Sequence, residues 1–364
     1  MNTASLRLFR AAALGATIAC TACSPLYVIR AGIHEAKILS RRRPIASVIA
    51  DPSTSPAVRR KLDLVIQARS FAEHRLDLAA GESYTTYSWV ERDTLLMVVS
   101  ASRTDRFEPY TWWFPIVGRV PYKGYFDFDR AYEEAESLGR EGFDTYVRPS
   151  GAFSTLGWFN DPLLSTLLRY GDVSLASTVI HEILHNTVYV PSQVAFNESF
   201  ANFVGDRGAI ELFCTRDGDG SPTCDLARRS WHDTMLYGAF LSDLVHRLDA
   251  VYGRDELARE EKLRQKAATL EDAKTRYATE VLPRLQTTGF RGFADSEVNN
   301  ATLIGVRLYY ERLDLFERVF EHYGGNLHAA TRAIIAAAQA SPDDPFGGVE
   351  RLIAAPDSAS SPLP

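Results

Sequence analysis

The chain has 364 residues, of which 46% are hydrophobic and 24% are charged, a composition typical of a globular protein with one large or two smaller domains. The formal net charge of −6 argues against a nucleic-acid partner. Past the N-terminal segment, no apolar run approaches the roughly 18 residues that a membrane-spanning helix needs.

The N-terminal segment, MNTASLRLFRAAALGATIACTAC, contains two arginines, no acidic residue and a short apolar run. This pattern is typical of a secretory signal peptide. The segment ends in a sequence that resembles a bacterial lipobox, in which the cysteine is lipidated and becomes the new N-terminus. Cys20 stands where leucine is usual and is a rival for lipidation. We therefore predict a signal peptide over residues 1–22 and lipidation of Cys23. The protein would then face the periplasm from the bacterial cell envelope on a lipid anchor, or be secreted if it is not lipidated.

The first half of the chain predicts helices around a β-rich stretch. Residues 24–43 are predicted to form a helix that Pro44 ends, and SPAVRRKLDLVIQARSFAEHRLDL predicts an amphipathic helix by its apolar period. The runs YTTYSWV and TLLMVVSAS flank the polar ERD, which favours a hairpin. The aromatic WWFPIVGRVPYKGYF is expected to be a loop or an irregular strand. DRAYEEAESLGREG then predicts a short helix, and DTYVRPSGAFSTLG a broken strand.

The second half is predicted to be mostly helical. SLASTVIHEILHNTVYV has a helical apolar period and ends at Pro191, and NESFANFVGDRGAIELF predicts a second helix with Asn197 as its N-cap. RDELAREEKLRQKAATLEDAKTRYATEVL predicts a long charged helix, and TLIGVRLYYERLDLFERVFEHYG a more apolar one. Residues 355–364 are expected to be disordered. Because no linker is evident, we predict that residues 23–354 form one unit.

Two cysteines flank the polar loop TRDGDGSPT. Cysteines that close a polar turn in an exported protein are typical of a disulfide, so we predict a bond between Cys214 and Cys224. Two free buried thiols are the alternative.

The segment HEILH begins at His181 and ends at His185. Positions four apart on a helix lie on one face, so both imidazoles can bind a single zinc ion. Glu182 lies about 100° around the helix from His181, beside the metal rather than on it. This is the HExxH arrangement, in which the glutamate is the general base for an attacking water. The sequence therefore predicts one Zn²⁺ per chain.

A catalytic zinc site also needs a third protein ligand and an open fourth position. A turn at Pro191 would bring the next helix back antiparallel, with Glu198 towards the metal. Glu198 could instead face solvent, but three neighbouring phenylalanines predict a buried surface on which a carboxylate needs a partner. Asn202, one turn further on the same face, is predicted to hold the outer nitrogen of a ligating histidine.

HExxH followed by an NExxxN helix resembles the gluzincin class of zinc peptidases, whose third ligand is glutamate. Over most of its length the chain also resembles the bacterial family of putative aminopeptidases that carry a lipoprotein signal. This resemblance rests on CSPLYVIRAG, VPYKGYFDF, STLGWFNDPLL, HEILHNTVYV, AFNESFANFVG and NNATL. It implies an α+β fold with a zincin-like metallopeptidase core, an active-site helix, a small antiparallel sheet and additional C-terminal helices. It also implies peptide substrates, cleaved from the N-terminus.

Substrate-binding residues are less clearly marked. SGAFST, residues 150–155, is the candidate edge strand for the substrate backbone, with an ordinary strand as the equal alternative. Four residues are candidate donors to the oxyanion that forms during attack: Tyr189, His232, Tyr309 and Tyr310. Three residues of PYKGYF are candidates for the cleft, with the lysine meeting a substrate carboxylate: Tyr122, Lys123 and Tyr125.

Two functions remain. The first is a zinc-dependent peptidase, an aminopeptidase by resemblance, in which Glu182 moves a proton from water to the leaving amine. The alternative is a non-catalytic zinc-binding envelope lipoprotein that acts as a binding or structural module. A structural zinc site is usually closed by four protein ligands, whereas three can be identified here, which favours catalysis.

Overall fold

The computed structural model of the protein describes residues 39–91, 94–114, 118–150 and 162–354. Several predictions lie outside these residues: the signal peptide, the lipidation of Cys23, most of the helix over residues 24–43, all of SGAFST except its first residue, and the tail at 355–364. Within the described part of the chain, no helix is both long and apolar enough to cross a membrane.

The described residues form helices and short strands in alternation, and then helices alone. The helices are α1 (Ile45–Ala50), α2 (Pro56–His74), α3 (Phe128–Arg140), α4 (Asp172–Thr187), α5 (Val194–Asp217), α6 (Pro222–Tyr252), α7 (Arg259–Arg276), α8 (Asn300–Arg307), α9 (Leu313–His322), α10 (Leu327–Ala340) and α11 (Pro345–Ala354). The strands are β1 (Arg43–Pro44), β2 (Thr86–Ser88), β3 (Leu96–Arg103), β4 (Trp112–Phe114), β5 (Gly118–Val120), β6 (Tyr122–Tyr125), β7 (Phe143–Ser150) and β8 (Leu163–Leu164). This mixture of helices and small sheets confirms the α+β prediction at the level of fold class.

The strands pair in three small sheets. One has the order β1-β2-β8, one has the order β6-β3-β7, and β4 pairs with β5. The predicted hairpin between the strands on either side of ERD is wrong, because β2 and β3 belong to different sheets. Both edges of β3 are taken by antiparallel partners, β6 and β7, which leaves no edge for β2. The predicted end of the first helix is also wrong, since Arg43 and Pro44 pair with β2.

The two faces of the β6-β3-β7 sheet meet different elements. Successive side chains on a strand point to opposite faces. Met97, Val99 and Ala101 of β3 belong to an apolar cluster with α3. On the other face, a Cβ added to Gly305 of α8 would lie 3.9 Å from the hydroxyl oxygen of Ser100. The sheet therefore lies between α3 and α8. The face that α8 covers is the one turned towards α4 and α5.

Helices α4 and α5 cross at very short range in the largest apolar cluster, which also includes residues of α2. Gly205 of α5 makes this approach possible, because an added Cβ would lie 2.6 Å from the carbonyl oxygen of Ser177. The end of α5 and the start of α6 are joined by a disulfide between Cys214 and Cys224, the pairing that the sequence predicts.

The predicted apolar helix near residues 302–324 is wrong as a single element. It divides into α8 and α9, and Arg312 between them adopts a left-handed conformation with φ 53°. A non-glycine residue rarely takes positive φ, and it cannot continue a right-handed helix there. The break between α8 and α9 carries Tyr309.

Candidate metal centre

The two helices that carry the HEILH and NESFANF motifs are joined by a short connection. The structure begins α5 at Val194, so the predicted N-cap role of Asn197 is wrong: this residue lies in the first helical turn. Its side chain instead bonds both backbone polar groups of Val190, accepting from the N–H at 2.9 Å and donating to the carbonyl at 2.8 Å. Asn197 is buried. This pair of hydrogen bonds therefore holds the connection against α5 and fixes the position of the next residue, Glu198.

The side chains of His181, His185 and Glu198 converge between the helices. The two imidazole Nε2 atoms lie 3.2 Å apart. The Glu198 carboxylate places Oε2 3.4 Å from Nε2 of His181 and Oε1 3.8 Å from Nε2 of His185. His181 lies opposite Glu198, and Ser177, one turn earlier in α4, lies opposite Gly205, which comes later in α5. The helices therefore run antiparallel, as the sequence predicts.

This triangle has the dimensions of a metal site. Zinc binds histidine nitrogen and carboxylate oxygen at about 2.0–2.1 Å, so two ligands of a tetrahedral ion lie about 3.3 Å apart. The observed edges of 3.2, 3.4 and 3.8 Å bracket that value. Two imidazoles and one carboxylate are also a donor set of catalytic zinc sites. The three residues thus form a group that could hold a metal ion.

The charged states of Glu198 and His181 depend on one another. Burial alone would raise the pKa of Glu198, but its bonds to His181 and His185 outweigh burial and hold the pKa far below the ordinary value. Burial likewise opposes protonation of His181, yet the Glu198 bond and the charges of Glu182 and Asp206 leave its pKa raised. The carboxylate is therefore held ionised beside imidazoles, in the state that binds a cation.

Glu182 has a different setting from the carboxylate of Glu198. It is half-buried on α4, next to His181, and its charge acts on His181 and on Tyr309. Among the described residues, it has no hydrogen-bond or ion-pair partner. A carboxylate in this position can exchange a proton with a molecule bound at the triangle.

Two further residues of α5, Asn202 and Asp206, bond to elements that surround the three ligand candidates. The side-chain amide of Asn202 donates to the carbonyl of Tyr309 at 3.0 Å, so it holds the break between α8 and α9; its predicted bond to a histidine stays a prediction. Asp206, which the sequence analysis missed, accepts from Ser177 at 2.5 Å and from Thr234 at 3.4 Å. Its charge also acts on His181.

Three tyrosines lie within electrostatic reach of Glu198. Desolvation, followed by the charge of Glu198, raises the pKa of Tyr122 to about 12 and raises the pKa of Tyr309 as well. Desolvation and Glu198 also raise the pKa of Tyr189. The Tyr309 ring stacks on His181 at 6.4 Å between centroids. All three hydroxyls stay protonated at neutral pH, so they are hydrogen-bond donors at the site.

Two of the candidate oxyanion donors lie elsewhere. His232 pairs with the buried carboxylate of Asp233 on α6, in a cluster that fixes the loop at residues 286–287. Tyr310 packs edge-on against Tyr237 in the apolar cluster beneath α6. The structure therefore brings Tyr189 and Tyr309 to the site, but neither His232 nor Tyr310.

Of the three cleft candidates in PYKGYF, one lies on the side of the sheet that faces the site and two lie on the opposite side. Tyr122 lies on the α8 side of the sheet, paired with Ser100. Lys123 and Tyr125 point to the opposite face, where the lysine ammonium lies 4.9 Å from the centre of the tyrosine ring. Tyr125 is buried there against α3. Strand alternation puts every second residue on the wrong side for the site.

Arg148 of β7 also acts at the site, although no sequence pattern points to it. Its charge acts on Tyr122 and Tyr309, the same tyrosines that Glu198 reaches. No local signal marks it, because its proximity depends on how β7, β3 and β6 pair.

A model of the family described as "Putative aminopeptidase" matches residues 26–344 of the chain. No curated protein matches the chain significantly. The same holds for solved structures.

Proposed function

Because the chain belongs to the family described as "Putative aminopeptidase", we propose that it is a zinc-dependent peptidase that removes residues from the N-terminus of peptides. The family's name supports a peptidase in general. The zinc ion, the general base and the direction of cleavage are our own assignments.

One observation carries the proposal: the triangle of ligand atoms from His181, His185 and Glu198. The 3.2 Å between the two Nε2 atoms and the shortest contacts of the carboxylate with His181 and His185, 3.4 and 3.8 Å, suit one zinc ion bound by three residues. In the described residues, no fourth histidine, cysteine or carboxylate joins this group. Three protein ligands are typical of catalytic rather than structural zinc.

The residues around the triangle divide the work of hydrolysis. Zinc, when bound, supplies a Lewis acid that polarises a carbonyl and makes a water easier to deprotonate. Glu182 takes the proton from the attacking water and returns it to the leaving amine, so the protein ends the cycle in its starting protonation state. Since no described residue pairs with Glu182, its carboxylate is available for both transfers.

The tyrosines provide the donors that the developing oxyanion needs. Tyr122 and Tyr309 face the same charge, that of Glu198, and keep their protons at neutral pH because their pKa values are raised. A hydroxyl that donates to the oxygen of the attacked carbonyl stabilises the transition state more than the ground state. We assign this role to Tyr309 first, because it lies against His181.

We also propose that the protein acts in the bacterial cell envelope on a lipid anchor at Cys23, facing the periplasm. The support is the sequence of residues 1–23 and the disulfide between Cys214 and Cys224, since such bonds persist in oxidising compartments.

The test combines metal content and cleavage. We expect the full-length protein to bind about one zinc and to cleave small peptides with a free N-terminal amine, and a chelator to stop cleavage. Glu182→Gln should keep the zinc and lower kcat by about 10²- to 10⁴-fold, the usual contribution of a general base. The matched control is Glu271→Gln, an exposed carboxylate on α7, which should leave both quantities unchanged.

Different results would redirect the proposal. Cleavage of N-terminally blocked peptides but not of free ones would replace the aminopeptidase assignment with an endopeptidase. A protein that is fully loaded with zinc and cleaves neither would be the non-catalytic binding module.

A further inference from the structure

We propose that Arg148 binds a carboxylate of the peptide substrate and thereby makes the site selective for peptides with an anionic group on that side. The inference rests on the proposed function, because it assumes that the peptide lies at the triangle of His181, His185 and Glu198.

Strand register places Arg148 on the side of the sheet that continues to the site. Arg148 pairs with Val98 of β3, which in turn pairs with Gly124 of β6. Two residues along each strand, Tyr146 pairs with Ser100 and Ser100 with Tyr122. Residues opposite one another, or two apart on one strand, share a face. Arg148 and Tyr122 therefore lie on one face.

Contacts with α8 show that this face is the one turned towards the metal centre. A Cβ added to Gly305 of α8 would lie within 4 Å of the Tyr146 ring and of the Ser100 hydroxyl, so α8 packs on this face. Just beyond the end of α8, Tyr309 stacks on His181. Arg148 lies two residues beyond Tyr146 on this face, so it belongs to the part of the sheet that lines the site.

Electrostatics agree with this placement. The positive charge of Arg148 lowers the pKa of Tyr122 and of Tyr309, opposing the effect of Glu198 on the same two hydroxyls. Arg148 thus lies close enough to both tyrosines for its charge to act on them.

The Arg148 guanidinium is also unpaired within the described part of the chain. It is half-buried, and among the described residues it has no hydrogen-bond or ion-pair partner. Some other half-buried arginines of the described chain have carboxylate partners; Arg207, for example, is bonded to Glu317. An unpaired cation that has lost part of its water gains from an anionic partner.

A carboxylate suits a guanidinium best, because two parallel N–H donors match its two oxygens. A peptide can supply this group in two ways, from its C-terminus or from an acidic side chain. Lys123, the residue that the sequence suggested for such a role, lies on the opposite face of the sheet and provides a matched control.

The test measures peptide binding by calorimetry on the full-length, zinc-loaded protein carrying Glu182→Gln, so that no probe is consumed. One pair of probes is trialanine as the free acid and as the C-terminal amide. The other pair is Ala-Glu-Ala amide and Ala-Gln-Ala amide. In one pair, we expect the probe with the additional carboxylate to bind about 10- to 100-fold more tightly than its neutral counterpart. This is the range of a charge-assisted hydrogen bond. The pair that shows the preference identifies the source of the carboxylate.

Adding Arg148→Gln should reduce that ratio to about one, Arg148→Lys should keep part of it, and Lys123→Gln should keep all of it. Three outcomes would overturn the proposal. The affinity ratio could be near one in both pairs before Arg148 is changed, no probe could bind, or the preference could survive Arg148→Gln. Cleavage by the protein with Glu182 intact is measured separately. A missing cleavage activity with an Arg148-dependent binding ratio would count against the proposed function alone.

Discussion

The protein contains two clusters of charged side chains that are shielded from solvent, and they differ in how completely their polar atoms are paired. In the junction of α7, α8 and β7, Lys266 donates to Asp144 and to the carbonyl of Thr104, and Asp144 also accepts from the backbone N–H of Asn300. The Asn300 side chain is bonded in turn, donating to the carbonyl of Arg103. Each of these groups has a partner within the protein.

The metal centre is built differently. His181, His185 and Glu198 crowd three ligand atoms into one small space, while Glu182 and Arg148 beside them have no partner among the described residues. Glu182 and Arg148 are half-buried, so their charged groups remain open to a molecule that enters the site. The comparison therefore separates a cluster whose polar groups are paired within the protein from one that, in the proposed function, metal and substrate complete.

The largest expected effect comes from removing a ligand at the metal centre. Losing a partner behind a ligand already costs about 10- to 100-fold in metal affinity, so Glu198→Ala should weaken zinc binding by more than about 100-fold and abolish cleavage. Competition with a coloured chelator measures the affinity. Lys266→Met is the control from the other cluster and should bind zinc as the unchanged protein does. Glu198→Ala with full zinc affinity would remove the distinction between the clusters.

The second prediction concerns stability at the junction. Lys266→Met leaves the Asp144 charge without its cation, and breaking a buried pair in this way costs about 3–5 kcal/mol of unfolding free energy. Urea unfolding of the zinc-free protein measures the change. Lys274→Met, on the same helix α7 but outside the junction, should shift stability by no more than about 0.5 kcal/mol. Equal effects of the two changes would mean that the junction does not stabilise the fold.

The difference between the clusters also explains what could be predicted from sequence. His181, His185 and Glu198 come from two successive helices with a clear apolar period, and helix geometry converts their spacing directly into a shared face. A short connection with a proline then leaves little choice but antiparallel packing. The residues of this part of the site could therefore be assigned from local pattern alone.

The residues of the sheet that line the site could not be assigned in this way. Arg148 reaches it only because β7 pairs with β3 and β3 with β6, contacts between residues far apart in the sequence. A shift of one residue in that register would move Arg148 to the α3 face and bring its neighbours to the site. The same dependence on pairing made the hairpin prediction wrong, and the break before α9 follows from the backbone of Arg312, which no periodic pattern signals.

The smallest expected effect tests whether the metal centre depends on the close packing of α4 and α5. Gly205→Ala puts a methyl group 2.6 Å from the Ser177 carbonyl and 3.2 Å from the Cβ of His181. Overpacking of this kind costs about 1–3 kcal/mol, and because His181 must shift, zinc affinity should fall as well. Gly139→Ala in α3 is the matched control, since an added Cβ there meets no atom within 4 Å. That change should stabilise the protein, by up to about 1 kcal/mol, through helix propensity. If both substitutions stabilised the protein equally, α4 and α5 would be able to separate at no cost. The triangle of ligand atoms would then owe its dimensions to the bound metal rather than to the packing of the helices.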